Sequence, residues 1–298
     1  MTTATETSTV QSRIAAAPIS WGVCEVPGWG HQMAPERVLR EMADLGLAAT
    51  EFGPDGFLPA DPQQAADLLA AHGMRAVGGF VPVVLFDGSR DPLPEVERAL
   101  AHFRAANATS LVLAAASGTE GYDARPVLDE TQWEVLLANL DRIRDVAGEQ
   151  GIEATLHPHV GTMVENAEEV DRVLTGSTIG LTLDTGHLLV GGADPVAITR
   201  AATDRIRHTH LKDVRADVAG RVRAGELTYT DGVRQGLYVP LGQGDVDVAA
   251  IVRTLEDAGY QGWYVMEQDT ILDAEPQAGA GPFAEVRTGL EFLTGVTA

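Results

Sequence analysis

Histidine and acidic side chains follow short apolar segments in the second half of the chain, and these residue types bind metals and transfer protons. Five of the eight histidines lie between residues 157 and 210. Imidazole and carboxylate ligands without thiolates suit Mn²⁺, Co²⁺, Fe²⁺ or Zn²⁺ better than a closed structural zinc site. The pattern therefore predicts a divalent metal site, with Mn²⁺ or Co²⁺ favoured and Zn²⁺, Fe²⁺ or Mg²⁺ as alternatives.

Short apolar segments alternate with amphipathic stretches along the chain and must position these residues. The predicted strands are 14–20, 47–52, 75–81, 109–114, 152–157, 178–183, 206–211 and 262–266. The predicted helices are 35–45, 61–71, 92–106, 130–149, 166–174, 194–203, 246–258 and 282–293. Strict alternation of strands and helices predicts parallel strands joined by right-handed crossovers.

Eight such units in 298 residues fit a closed (β/α)₈ TIM barrel of the α/β class. A doubly wound open sheet is the rival fold, but the segment 21–25 after the first strand reads WGVCE and lacks the G-x-G-x-x-G phosphate loop. Without repeats or linkers, the sequence predicts one domain over residues 14–298. The long connection from Lys212 to Val246 is predicted to cover the site.

Composition limits the partners and the compartment. The net charge of −22 should repel phosphate backbones, so nucleic acid and anionic membranes are not expected partners unless a local basic patch exists. The single cysteine, Cys24, excludes an intramolecular disulfide and fits a reducing cytoplasm, and a lone thiol is more commonly a small buried hydrophobe than a nucleophile. Residues 1–13 are predicted as a disordered tail, because they are mostly polar and lack the pattern of a secretory signal.

The polar residues that follow the strands are the candidate site, because a barrel builds its active site at the carboxyl ends of its strands. They are Glu51, His157, His159, Asp184, His187, His210, Lys212 and Glu267. Other roles stay open for single residues. His208 and His210 face the same side of their strand, and the deeper His208 is expected to be a core residue. Asp184 could cap the next turn, and Glu51 and Lys212 could pair with neighbouring charges.

Several motifs resemble the xylose isomerase-like barrel superfamily. They are DTGH after an apolar strand, HTHLKD on the next strand, and a glutamate that ends the last one. The segments APISWGVCEVPGWG, ATEFGPDGFLP, HPHVGTMVE and MEQDT are similar to the inosose dehydratase family of myo-inositol catabolism. The resemblance runs from about residue 14 to the end of the chain.

The resemblance implies a metal bound by Glu, Asp, His and Glu from strands five to eight. Asp184, His210 and Glu267 match the last three ligands, whereas His157 stands where a glutamate is usual. Either His157 binds the metal or this position has changed its role. The resemblance also places His187 and Lys212 against the substrate.

The implied activity is that of a lyase, the dehydration of 2-keto-myo-inositol to a cyclic diketone through a metal-stabilised enediolate. His159, His187, Lys212 and Glu51 are the candidates for the proton transfers, and the ring of Trp21 is expected to contact substrate C–H groups. An isomerase or epimerase that shares the first step is the nearest alternative. A non-catalytic sugar-binding barrel is another, and self-association stays open.

Overall fold

The protein is described by a computed structural model that covers residues 10–296. The strands are β1 (Ile14–Ala16), β2 (Ala49–Thr50), β3 (Arg75–Ala76), β4 (Gly78–Val83), β5 (Ser110–Ala115), β6 (Glu153–Leu156), β7 (Gly180–Asp184), β8 (Ile206–Leu211), β9 (Asp213–Val214), β10 (Tyr238–Val239) and β11 (Tyr264–Met266). The helices are α1 (Pro35–Asp44), α2 (Pro62–Ala71), α3 (Leu93–Ala105), α4 (Glu130–Glu149), α5 (Ala167–Gly176), α6 (Thr185–Val190), α7 (Pro195–Ala201), α8 (Ala216–Arg223), α9 (Tyr229–Arg234), α10 (Val248–Asp257) and α11 (Pro282–Val296).

The main sheet is an almost closed parallel barrel. It contains nine strands in the order β3-β2-β1-β11-β8-β7-β6-β5-β4. The two strands at the ends of this order, β3 and β4, are consecutive in the chain and separated only by Val77, so together they form one of the eight strand positions of the barrel. The first of them pairs with β2 and the second with β5. The amide of Val77 bonds to the carbonyl of Thr50, and its own carbonyl accepts from Thr109, which joins the two ends. The predicted (β/α)₈ barrel is therefore confirmed.

Side chains at the helix starts explain why the helices begin where they do. Asp129 and Asn166 form capping boxes at α4 and α5, each with the residue three positions later. Asp61 and Asp194 precede Pro62 and Pro195, and their carboxylates accept from backbone amides two or three residues later. A capping carboxylate followed by proline satisfies the orphan amides of the first turn and sets the helical φ.

Two apolar regions hold the barrel together. Small residues fill its interior below the site, and they are Ala15, Ala17, Ala49, Val77 and Val265. The larger core lies between the strands and the surrounding helices. Small side chains in the narrow interior let the strands approach closely and leave the polar residues at the strand ends facing one cavity.

Two sequence predictions near the N-terminus were wrong in detail. The predicted first strand, 14–20, ends at Ala16, and Pro18–Trp21 forms a 3-10 helix that ends at Gly22 with φ 78°. Proline lacks the amide that a central strand needs, which explains the early end. Val10–Arg13 forms a second 3-10 helix with both terminal residues buried, so the predicted tail 1–13 does not extend to residue 13. Its first nine residues lie outside the described range.

The connection from Lys212 to Val246 is structured rather than a plain loop. It contains α8, α9 and the small antiparallel pair of β9 and β10. The buried carboxylate of Asp213 accepts from the amides of Gly242, Gly244 and Val246 and so ties the start of the segment to its end. A Cβ at Gly244 would lie 2.3 Å from Asp213 Oδ1, so this closure requires glycine.

Among residues 10–296, none of the helices has the length and apolar character needed to cross a bilayer.

Candidate active site

Three ligand candidates meet above the barrel because neighbouring parallel strands end at one level. Asp184, the last residue of β7, lies opposite His210 of β8. Glu267 directly follows β11, and its amide bonds to the carbonyl of Leu211 at 3.0 Å. The Nδ1 atom of His210 lies 3.0 Å from Glu267 Oε2 and 3.6 Å from Asp184 Oδ2. All three side chains are buried.

These three residues fit a divalent metal. Their ligand atoms lie within 4.8 Å of one another, and one imidazole with two carboxylates suits a Lewis-acidic divalent ion. Within the described residues, His210 Nδ1 makes no aligned hydrogen bond although it lies 3.0 Å from Glu267 Oε2, as a nitrogen that shares a metal ion with this carboxylate would. Burial opposes ionisation of Asp184, but the nearby ammonium group of Lys212 and the hydrogen bond with His157 keep the pKa of its carboxyl well below the usual value.

His157 approaches the same centre from β6 but contacts Asp184 rather than all three ligand candidates. Its Nε2 lies 3.1 Å from Asp184 Oδ2, and it forms a second possible metal group with Asp184 and His187. Burial lowers the pKa of His157 despite the hydrogen bond to Asp184. A neutral imidazole at this position is compatible with ligation and with hydrogen bonding to the carboxylate.

Glu51 is occupied by two histidines. Its Oε1 accepts from Nε2 of His208 at 2.8 Å and from Nε2 of His210 at 3.0 Å. Burial alone would raise the pKa of Glu51, but these two imidazoles hold the pKa below its usual value. Glu51 is therefore hydrogen-bonded to the imidazole of a ligand candidate. His208, fully buried, lies below the site as expected.

Lys212 reaches several acceptors with one buried ammonium group. Its Nζ lies 2.7 Å from Asp269 Oδ1, 3.0 Å from Glu267 Oε2 and 3.4 Å from Asp184 Oδ2. It also lies 2.9 Å from His187 Nε2. Burial alone would lower the pKa of Lys212, but the carboxylates around it raise the pKa well above the usual value. Lys212 is therefore charged.

His159 and His187 stack with ring centroids 3.7 Å apart and an angle of 35°. Burial lowers the pKa of both imidazoles well below the usual value, and neighbouring cationic groups add to the effect. His159 Nδ1 lies 2.7 Å from the carbonyl of Val160, so Nδ1 carries the proton and Nε2 keeps a free lone pair. A neutral imidazole with a free nitrogen has the properties of a general base.

The cavity at the strand ends has a volume of about 600 Å³, including its open mouth. It is lined by Ala17, Pro18, Ile19, Val23, Cys24, Glu25, Trp29, Glu51, Gly53, Pro54, Phe80, Tyr122, His157, His159, His210, Lys212, Glu267 and Asp269. Asp184 and His187 lie directly behind this lining. The cavity therefore combines apolar ring faces with the polar groups described above.

Trp21 was predicted to contact substrate, but the structure places it elsewhere. Its side chain is fully buried, and its indole N–H donates to Glu41 Oε2 at 2.8 Å. Among the described residues it does not line the cavity, whereas Trp29 does. The early end of β1 explains the difference, because the 3-10 turn directs Trp21 toward α1. Cys24 lines the cavity, and burial raises the pKa of its thiol, which disfavours a nucleophilic role.

Sequence reasoning missed three polar residues beside Lys212. Asp269 follows Glu267 by two positions, and Tyr229 and Tyr238 come from the segment after β8. The hydroxyl of Tyr229 donates to Asp269 Oδ2. Asp269 belonged to the MEQDT motif, and both tyrosines lay in the segment predicted to cover the site, but their spacing did not indicate a shared contact.

Comparisons with known proteins agree with this fold. Residues 39–294 match the family described as a xylose isomerase-like TIM barrel. The chain is 32% identical to the inosose dehydratase of Geobacillus kaustophilus (strain HTA426), covering 94% of this chain and 93% of the relative. It is 34% identical to the rhizopine catabolism protein MocC of Rhizobium meliloti, covering 98% and 90%. These relatives confirm the predicted resemblance to inosose dehydratases, which are lyases.

Solved structures support the fold. L-ribulose 3-epimerase matches with a TM-score of 0.68 at 16% identity, covering 96% of this chain and 94% of that chain. The IolI protein, solved with a zinc atom, matches with a TM-score of 0.67 at 16% identity, covering 96% and 98%.

Proposed function

We propose that this chain, which belongs to the xylose isomerase-like TIM barrel family, is a metal-dependent hydro-lyase that removes water from 2-keto-myo-inositol. One observation carries the proposal. A buried cluster of two carboxylates and one imidazole lies beside a charged lysine and a neutral histidine in one cavity. The relationship to inosose dehydratases supplies the substrate class.

Asp184, His210 and Glu267 would hold the metal, with His157 as a candidate fourth ligand. A bound divalent ion would polarise the substrate carbonyl, acidify the neighbouring C–H group and stabilise the negative charge that develops when the proton leaves. Mn²⁺, Co²⁺ and Zn²⁺ are the ions that we propose for this site. The donor set suits each of these ions.

Glu51 would position His210 for this task. Its carboxylate accepts the Nε2 proton of His210, so that Nδ1 would be available to bind the metal held by Asp184 and Glu267. Carboxylates that bind the second nitrogen of a metal-binding histidine set its tautomer and increase its basicity. This role replaces the proton transfer expected of Glu51.

The aromatic side chains of the cavity would bind the apolar face of a cyclic polyol. Phe80 and Tyr122 both lie beside His159, with ring centroids 5.4 Å and 4.4 Å from it. Trp29 adds a third aromatic ring to the lining. Ring faces contact C–H groups, and the polar groups of the opposite wall are available for the hydroxyls.

Two residues are best placed for the proton transfers. His159 would remove the proton beside the carbonyl, since its Nε2 is unprotonated and its ring faces the cavity. Lys212 would donate to the departing hydroxyl, which must gain a proton to leave as water. His187 lies behind Lys212 and would act on the lysine rather than on the substrate.

The decisive experiment incubates the chain, loaded with Mn²⁺, Co²⁺ or Zn²⁺, with a panel of inososes and ketoses in D₂O. Loss of one water from an inosose supports the proposal. Deuterium incorporation without loss of water would instead identify an isomerase or epimerase. Binding without either change would identify a sugar-binding barrel. A His159→Gln variant should retain the metal and lose the proton removal.

The cytoplasmic location, the absence of nucleic-acid and membrane partners and any self-association stay predictions. A cyclic polyol is the partner that the cavity and the relatives support.

A further inference from the structure

Lys212 and four neighbouring side chains form a closed ring of hydrogen bonds. Lys212 Nζ contacts Asp269 Oδ1 at 2.7 Å and His187 Nε2 at 2.9 Å. Asp269 Oδ2 accepts from Tyr229, whose hydroxyl lies 3.1 Å from that of Tyr238. The Tyr238 hydroxyl lies 3.3 Å from His187 Nδ1 and closes the ring. All five side chains are buried.

The number of protons in the ring determines the direction of every bond. An ammonium group only donates, so His187 Nε2 must accept from Lys212. A neutral imidazole has one N–H group, which then lies on Nδ1 and donates to the Tyr238 oxygen. Tyr238 must use its single proton on Tyr229, and Tyr229 must use its own on Asp269.

The same directions follow from the opposite end of the ring. A carboxylate only accepts, so Asp269 takes the proton of Tyr229, and Tyr229 in turn accepts from Tyr238. Tyr238 then has an acceptor oxygen only, which requires the proton on His187 Nδ1. Both starting points give one arrangement without conflict. An imidazolium would instead bring an N–H group against the ammonium of Lys212.

Lys212 and Tyr238 of this ring pack directly against the backbone of Gly186. A Cβ at Gly186 would lie 2.6 Å from Cβ of Lys212 and 2.8 Å from Cε1 of Tyr238. Both distances are too short for any side chain without movement of the ring. The glycine of the DTGH motif is therefore required by the close approach of Lys212 and Tyr238 to α6.

We infer that Tyr238 and Tyr229 are positioning residues that hold His187 in the Nδ1–H tautomer, so that its Nε2 accepts from Lys212 and directs the ammonium into the cavity. The inference rests on the proposed function only in assigning the ammonium to the reaction. Segment 212–246 would thus complete the site as well as cover it. Among the described residues, neither tyrosine lines the cavity itself; Tyr229 contacts the lining residue Asp269, and Tyr238 contacts the lining residue Lys212.

The tautomer can be measured without substrate. Long-range ¹H–¹⁵N correlation spectra of the full chain with Zn²⁺, which is diamagnetic, report the protonated nitrogen of each histidine, and a His187→Gln variant assigns the signal. We expect a protonated Nδ1 and an unprotonated Nε2 at His187. A protonated Nε2 in the unmodified chain would overturn the inference whether or not the chain is a dehydratase.

Replacing each tyrosine with phenylalanine should affect the tautomer of His187 differently. Tyr238→Phe removes the direct partner of His187, so the tautomer should become mixed and kcat should fall by ~10–100-fold, as for a misplaced catalytic group. Tyr229→Phe keeps that partner, so the tautomer should persist while kcat falls less. Tyr264→Phe is the matched control, because its buried hydroxyl donates to Glu256 away from the site. An unchanged His187 signal in Tyr238→Phe would refute the positioning role.

Discussion

Replacing Asp184 with asparagine should remove charge from the site while keeping its local structure. Asp184 caps α6, and its Oδ1 accepts from the amides of Gly186 at 2.9 Å and His187 at 2.7 Å. Asparagine caps helices as well as aspartate does, so the fold should persist. The variant therefore isolates the role of the second oxygen, which faces the ligand cluster.

The electrostatic loss follows from the distance to Lys212. Two unit charges 3.4 Å apart attract by about 5 kcal/mol at an effective dielectric constant of about 20. Rearrangement of Lys212 toward Glu267 and Asp269 would recover part of this energy. We therefore expect turnover to fall by at least ~100-fold, the lower range for loss of one electrostatic stabiliser. Metal affinity should fall by more than the ~10–100-fold typical of an outer-sphere partner.

Asp194→Asn supplies a matched control. Asp194 caps α7 with φ −93° and ψ 107°, and Asp184 has φ −94° and ψ 111°. Its carboxylate accepts from Val196 and Ala197 outside the site. Metal binding is measured by isothermal titration with Mn²⁺ or Zn²⁺, and turnover by product formation. Full activity of Asp184→Asn, with no measurable bound metal, would refute the mechanism.

Three further predictions concern His157, the surface charge and one loop carboxylate. His157→Glu places a second carboxylate beside Asp184, so the melting temperature of the metal-free chain should fall and Zn²⁺ should raise it again. An equal melting temperature with and without Zn²⁺ would contradict this prediction. The acidic chain should not be retained on duplex DNA at low salt, and salt-sensitive retention would contradict the prediction that nucleic acid is not a partner. Asp141 accepts hydrogen bonds from Ser177 and Thr178. Burial alone would raise the pKa of its carboxyl, but these bonds hold the pKa below the usual value. The stability that a lowered pKa contributes is fully present above the unfolded value of about 3.9 and is lost as the pH falls through the folded value. Asp141→Asn should therefore cost about 1 kcal/mol at pH 7 and progressively less as the pH falls below about 3.9, as measured by urea unfolding.

The order of strands and helices could be predicted from local patterns. Alternating apolar segments, capping aspartates and glycines after helices all act over a few residues, so the sequence alone indicates α4 at its observed bounds and β8 at 206–211. Parallel strands in a barrel end at one level. For this reason the strand order alone predicts that Asp184, His210 and Glu267 lie together.

Only the tertiary structure decided which atoms meet. Glu51 bonds to His208 and His210 across separations of 157 and 159 residues, and no local pattern encodes such contacts. Trp21 turns toward Glu41 because Pro18 ends the first strand, a choice that depends on packing against α1. The tyrosines of the ring reach His187 only because Asp213 folds their segment back over the barrel. Residue types and strand order thus determined where the chemistry lies, whereas hydrogen bonds between distant parts of the chain determined which nitrogen carries each proton.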